Sequence, residues 1–170
     1  MNLDEIVNNR YAVRKYKEDS VSDELIDKIM EVVRLAPTAR NTQSQKFYVV
    51  NSRDMKIKMK EENVFPHDFV YTAPTILICT VDATKYPDSN EKSRKFGIMD
   101  GTISSAFLVL KAVELGLGSC YIGLIDEKKA AKVLNIPKEE TVLFALTLGY
   151  PDVEQGERKR KSLENFYKVV

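Results

Sequence analysis

Two short segments hold the residue types suited to binding a flat, anionic molecule. The first is Ala36-Pro37-Thr38-Ala39-Arg40-Asn41-Thr42-Gln43, between a helical pattern ending at Leu35 and the strand-like run Lys46 to Val50. Its amides, hydroxyls and guanidinium offer planar donor and acceptor sets that match the edge of a heterocycle. The second, Arg10-Tyr11-Ala12-Val13-Arg14-Lys15-Tyr16, belongs to a window with four basic groups from Arg10 to Lys17. Guanidinium forks fit phosphate oxygens or a ring carbonyl. Taken alone, the first segment reads as a polar loop closing a helix, because Pro37 lacks an N–H and cannot continue one. The second, taken alone, reads as a solvated basic turn.

Other chemistries find little material. His67 is the single histidine, and Cys79 and Cys120 have no partner at metal-ligand or redox-motif spacing, so both read as buried free thiols. Gly116-Leu117-Gly118 fails as a dinucleotide fingerprint, since residue 121 is Tyr and the motif leaves a helix to enter a strand. No nucleophile–base triad or paired-carboxylate constellation stands out. Twenty-six basic against twenty-five acidic side chains leave a net charge of +1, which gives no global field for nucleic acid or an anionic membrane.

Combined in order with Gly116-Leu117-Gly118-Ser119-Cys120-Tyr121-Ile122-Gly123 and the basic run Glu157-Arg158-Lys159-Arg160-Lys161, these segments make the chain resemble the nitroreductase family of FMN-dependent oxidoreductases. The matching pieces are an R-x-S-x-R element, an A-P-S-x-x-N-x-Q turn, a helix ending in G-L-G-S and a basic tail, from about Arg10 to Leu163. The resemblance implies FMN as cofactor and NADH or NADPH as co-substrate. It assigns Arg10, with Tyr11 and Ala12 beside it, to the phosphate, and Arg14 to the pyrimidine edge of the ring. The backbone N–H groups of Gly123 and Leu124 fall to the flavin N5, and Arg158 and Arg160 to the phosphate. Pro37, Thr38, Ala39, Asn41 and Gln43 would meet the flavin bound by a partner subunit, although Gln43 reads equally as a tie for its own loop. His67 lies near a position where relatives contact the ring, and reads otherwise as a loop histidine without a role. Four positions depart from the family pattern: Ala12 for Ser, Thr38 for Ser, and the pair Ser44-Gln45 for a Pro-aromatic pair. Flavin N5 would carry the hydride, so no side chain is assigned as catalytic.

Behind these segments the expected elements are mixed α and β without strict alternation, hence α+β. Helices are expected at Leu3 to Asn9, at Asp23 to Leu35 behind a Ser22 cap, at Asp54 to Glu62, and from Asp126 to Leu134. Strands are expected at Lys46 to Asn51, Pro74 to Val81, Ser119 to Ile122 and Thr141 to Leu148. The continuous apolar run at Pro74 to Val81 suits a central strand covered on both faces. Thr84 to Lys95 reads as a loop. Ile98 to Leu115 is apolar around most of its circumference, so it calls for burial on nearly all sides.

The expected molecule is one domain over residues 1–170, with a central mixed β-sheet flanked by helices. The long helix would lie at a homodimer interface, and the tail 151–170 on the partner subunit. No apolar run of membrane-spanning length is read, and the acidic start Met1 to Glu5 argues for the cytoplasm. The expected activity is ping-pong hydride transfer from NAD(P)H to an electron-poor small molecule. A flavin-binding module without turnover and a variant with dehalogenase or flavin-destroying chemistry stay open beside it.

Overall fold

Polar caps and apolar stripes set the order of elements. The computed structural model describes residues 1–86 and 91–170, without the side chains of 91–94. Helix α1 spans Leu3–Asn9, where Asn2 accepts the Glu5 N–H and Glu5 accepts the Asn2 N–H, a reciprocal cap. Helix α2, Asp23–Val33, starts at a Ser22 cap and buries Ile26, Ile29 and Val33 along one stripe. Strand β1, Gln45–Val50, leads into α3, Arg53–Glu61, and a single turn of helix, α4 at Phe69–Thr72, precedes strand β2, Thr75–Asp82. Helix α5, Glu91–Glu114, stops where Gly116 takes φ 77°, a conformation open to glycine. Strand β3, Gly118–Ile122, helix α6, Glu127–Leu134, and strand β4, Glu140–Gly149, follow.

The strands make one sheet in the order β1-β2-β4-β3. Every ladder is antiparallel, which corrects the mixed sheet expected from the element order. Among the described residues the parallel pairing is confined to one isolated bridge, Ala12 to Ser119. The sequence pattern is silent on strand direction, because an apolar run covered on both faces serves either orientation.

Helices cover both faces, in keeping with the apolar stretch Ile76 to Cys79 of β2 and the burial of every residue from Thr75 to Val81. On one face Ile76 and Ile78 join Met59, Ala130 and Val133. On the other, Leu77 and Leu146 join Ile29, Leu108, Val109 and Ala112. Alternation along β2 sends successive side chains into different cores.

Helix α5 begins at Glu91, before the expected Ile98, so the loop read over Thr84 to Lys95 is shorter; its residues 87–90 lie outside the described residues. The added turns, Glu91 to Lys95, carry no apolar period and gave no helical signal. Gly97 and Gly101 let α5 approach the sheet, since a Cβ on either would stand 2.8 Å from Val81 or Leu143. By length and composition Lys95–Glu114 would pass as a membrane span, contrary to the sequence reading. In this fold it serves as a core helix, and its buried polar residues Ser104 and Ser105 are hydrogen-bonded. Burial is nevertheless one-sided within a single chain. Phe96, Ile98 and Met99 are 41, 43 and 48% exposed, and Ala106 is exposed too.

The tail divides in two. Its first part runs along the N-terminal segment of its own chain: Asp152 N–H donates to Lys15 O at 3.0 Å, and the Tyr11 hydroxyl to Val153 O at 2.5 Å. Gln155 Nε2 donates to Asn8 O at 3.2 Å. Those bonds, with those of Arg158, tie residues 151–158 to the N-terminal segment of their own chain. The later apolar residues Leu163, Phe166 and Val169 are exposed.

Candidate functional site

Close packing of residues 10–16 on β3 builds the site. Val13 is fully buried and its N–H donates to Ser119 O at 3.0 Å, so the alternating neighbours Ala12 and Arg14 face outward. Gly118 makes this possible: a Cβ there would stand 2.4 Å from Val13 Cγ2 and 2.9 Å from Pro151 Cγ. The Tyr16 hydroxyl donates to Val13 O at 2.7 Å and meets Thr147 Oγ1 at 2.7 Å. Burial pushes that phenol above its ordinary pKa, so it stays a neutral donor.

Three guanidiniums gather at the C-terminal end of α1. Arg10 is the residue that ends the helix. Arg158 reaches back from the tail and donates to Val7 O at 3.0 and 3.1 Å, to Asn8 O at 3.1 Å, and to Arg10 O. A cation on the last carbonyls of a helix satisfies acceptors that have no intrahelical partner. Burial, then the charges of Arg158 and Arg160, hold the Arg10 pKa below its ordinary value. Among the described residues, none of Arg10, Arg14, Arg158 and Arg160 is ion-paired with a carboxylate. Lys15, by contrast, is paired with Asp152 at 2.8 Å. Clustered cations without a counter-charge form a site for an anion.

Beside them lies a cavity of about 540 Å³ lined by Arg14, His67, Phe69 and the run Cys120 to Leu124. The His67 and Phe69 rings stack at 6.0 Å between centroids. Gly123 and Leu124 are exposed at the end of β3, and among the described residues their N–H groups have no hydrogen-bond acceptor. Burial raises the Cys120 thiol pKa although Arg14 and Arg10 pull it down, so it contributes a neutral wall. The cavity therefore offers a cation, a stacked aromatic wall and two backbone donors.

The second predicted segment lies elsewhere. Arg40, Asn41 and Gln43 take φ of 55°, 55° and 49°, left-handed conformations that cost a non-glycine residue roughly 1–2 kcal/mol each. Compensating bonds run from Ala39 N–H to Asp100 Oδ1 and Oδ2 at 3.0 and 3.1 Å, and from Gln43 N–H to Thr38 Oγ1 at 3.2 Å. Gln43 Nε2 donates to Asn41 O at 3.4 Å, so its side chain ties its own loop.

The structure thus brings together Arg10, Arg14, Gly123 and Leu124, with Arg158 and Arg160 near Arg10 and His67 in the same wall. Tyr11 is held by Val153 O, and Ala12 pairs through its backbone with Ser119. Pro37, Thr38, Ala39, Asn41 and Gln43 do not line that cavity. Sequence reasoning missed Asp100 and Tyr86 and read Ser44 only as a departure from the family pattern; all three anchor the turn. One signal was available: Asp100 is a lone acid in an otherwise apolar helical stretch, and a buried acid needs donors. Tyr121, whose hydroxyl donates to Ser105 Oγ at 2.7 Å, was also missed.

Comparison with known proteins bears on this arrangement. Residues 7–64 and 57–150 match the model of the Nitroreductase family. A protein of Archaeoglobus fulgidus whose name pairs NADH dehydrogenase with NAD(P)H nitroreductase is 30% identical over 155 residues, 88% of this chain and 86% of its own length. A Bacillus subtilis protein named FMN reductase [NAD(P)H] is 24% identical over 164 residues, 88% of this chain and 66% of its own. A Staphylococcus epidermidis crystal structure named for an NAD(P)H:FMN oxidoreductase superposes with a TM-score of 0.92 at 19% identity, covering 99% of this chain and 96% of that one.

Proposed function

The chain belongs to the nitroreductase family, and from that premise we propose that it is an FMN-dependent oxidoreductase. It would take hydride from NADH or NADPH and pass it to an electron-poor acceptor such as a nitroaromatic or a quinone, one substrate leaving before the next enters. The observation that carries this reading is the guanidinium cluster, without a carboxylate partner among the described residues, set beside a cavity with its own cation and two open backbone donors. These residues fit FMN, which has an anionic phosphate at one end and a flat, polar-edged ring at the other. Bound there, FMN supplies the two-electron chemistry that side chains lack.

The protein's part is to bind and to orient. Arg10 and Arg160 hold the phosphate. Arg158, committed to the α1 carbonyls, adds charge and fixes the position of Arg10. Ala12 offers no hydroxyl, which forgoes one neutral hydrogen bond, about 0.5–1.5 kcal/mol of affinity. Arg14 faces the ring's pyrimidine edge, where negative charge accumulates on reduction, and favours the reduced form. The N–H groups of Gly123 and Leu124 orient the opposite side of the ring.

Pro37, Thr38, Ala39, Asn41 and Gln43 meet the flavin only across an interface, since their own chain holds them away from the cavity. A two-fold homodimer brings the turn of one chain over the cavity of the other and yields two equivalent composite sites. The open apolar face of α5 and the exposed Leu163, Phe166 and Val169 supply surface for that contact.

Purified protein should be yellow, release FMN on denaturation and bleach anaerobically with NADH or NADPH. A colourless protein that takes up no added FMN would refute the reading. FMN uptake without bleaching would point instead to a flavin-binding module.

A further inference from the structure

A buried chain of hydrogen bonds lies behind the strained turn, and the chemistry above leaves it without a role. Asp100 on α5 accepts the Ala39 N–H on both oxygens and the Tyr86 hydroxyl at 2.6 Å. Tyr86 Oη also meets Ser44 Oγ at 2.7 Å. A phenol has one proton, and here it goes to the carboxyl group, so Ser44 must be the donor to Tyr86. The chain therefore runs in one direction, from Ser44 through Tyr86 to Asp100. All three residues are buried, at 8, 3 and 2% exposure, where an unmade hydrogen bond is costly. One helical turn further, Ser104 Oγ accepts from Gln45 Nε2 at 3.0 Å. Both ends of the turn, Ala39 and Ser44-Gln45, are thus fastened to the same face of α5. Ser44 and Gln45 are also the residues at which this chain departs from the family's Pro-aromatic pair.

We propose that Asp100, acting through Tyr86 and Ser44, is a positioning residue that holds the Pro37–Gln43 turn in the shape that closes on the flavin ring of the partner subunit. This rests on the composite FMN site proposed above. Asp100 touches neither flavin nor substrate. It fixes three left-handed residues whose relaxed backbone would withdraw the turn from the ring. The turn meets the ring and leaves the phosphate to Arg10 and Arg160, so loosening it costs FMN and riboflavin alike.

The experiment measures FMN and riboflavin binding by fluorescence quenching, with sedimentation and thermal unfolding alongside. It compares wild type, Asp100→Ala, Asp100→Asn and Tyr86→Phe, with Arg10→Ala as reference. Asp100→Ala should weaken both flavins by a similar factor, about tenfold or more, the loss expected for a buried hydrogen-bond acceptor. Asp100→Asn keeps a carbonyl for the Ala39 N–H and an amide for Tyr86 Oη, so it should recover most of that loss. Tyr86→Phe should fall between. Asp100→Ala protein that is folded and dimeric, with a lower melting temperature and unchanged affinity for both flavins, would reduce Asp100 to a structural role and overturn the proposal. If Asp100→Ala yields no folded protein, unchanged affinities in Tyr86→Phe overturn it. Wild type that takes up neither flavin would sink the parent reading and this one with it, whereas equal binding by wild type and the variants sinks the clamp alone.

Discussion

Arg10→Ala separates a phosphate ligand from a structural arginine, because the two roles predict opposite effects on the apoprotein. No side-chain hydrogen bond or ion pair of Arg10 exists among the described residues, and its like-charged neighbours Arg158 and Arg160 oppose its charge. Removing it should leave the unliganded melting temperature unchanged or slightly higher. Charge-assisted hydrogen bonds to a phosphate contribute about 1.5–3 kcal/mol, so FMN affinity should fall roughly 10- to 150-fold. Riboflavin lacks the phosphate and should lose less than about threefold. Flavin fluorescence titration at two salt concentrations gives both numbers. Arg10 is only half-buried and its charge is partly screened, so the wild-type preference for FMN over riboflavin should shrink as salt rises, and that of the variant should move less. Inorganic phosphate should raise the melting temperature of wild-type apoprotein more than that of the variant. Equal losses for the two flavins, or a clearly destabilised apoprotein, would refute the assignment.

Arg14→Ala should lower the reduction potential of bound FMN, by roughly 20–40 mV if the lost charge contributes about 1–2 kcal/mol to the two-electron couple; an unchanged potential removes Arg14 from the ring's pyrimidine edge. Gly118→Ala drives a Cβ to 2.4 Å from Val13 Cγ2, so overpacking of about 1–3 kcal/mol should lower the melting temperature by several degrees and loosen Arg10 and Arg14 together. Calorimetry that shows no change would mean Val13 can move freely. Ala106→Asp places a charge on the open face of α5 and should cost dimer and flavin together in sedimentation, whereas Val109 is unsuited to this test because it belongs to the chain's own core. Burial pushes the Cys79 thiol up from its ordinary value of 9.0 to about 12. Its contribution is therefore intact below pH 9 and lost as pH rises toward 12, and Cys79→Ala should flatten the fall in stability over that window in chemical denaturation.

Local chemistry was legible in the residues themselves. The central strand announced itself because Ile76 to Cys79 is apolar without interruption, which suits two-sided cover. Helices α2 and α6 were legible for a related reason, since a polar cap followed by an apolar stripe needs no distant partner to be recognised. The arginines at 10 and 14, and the glycines at 116, 118 and 123, stood in the spacing from which the family resemblance follows. Strand direction was not legible, since the same apolar pattern serves either orientation. The start of α5 was hidden because Glu91 to Lys95 lacks the apolar period on which helix reading depends.

What only the tertiary structure decided is which groups meet across long stretches of chain. Asp100 reaches Ala39 over 61 residues and Arg158 reaches Val7 over 151. Neither pairing leaves a local trace, because a buried carboxyl group or a guanidinium can be satisfied by any donor or acceptor that the fold delivers. Composition and spacing fixed what this protein can bind with: cations, amides and open backbone donors. The packing of Val13 over Gly118 and of the turn over α5 decided where those groups stand. It also set the turn apart from the cavity in its own chain, because close packing leaves each segment one position and the sequence states only the preference.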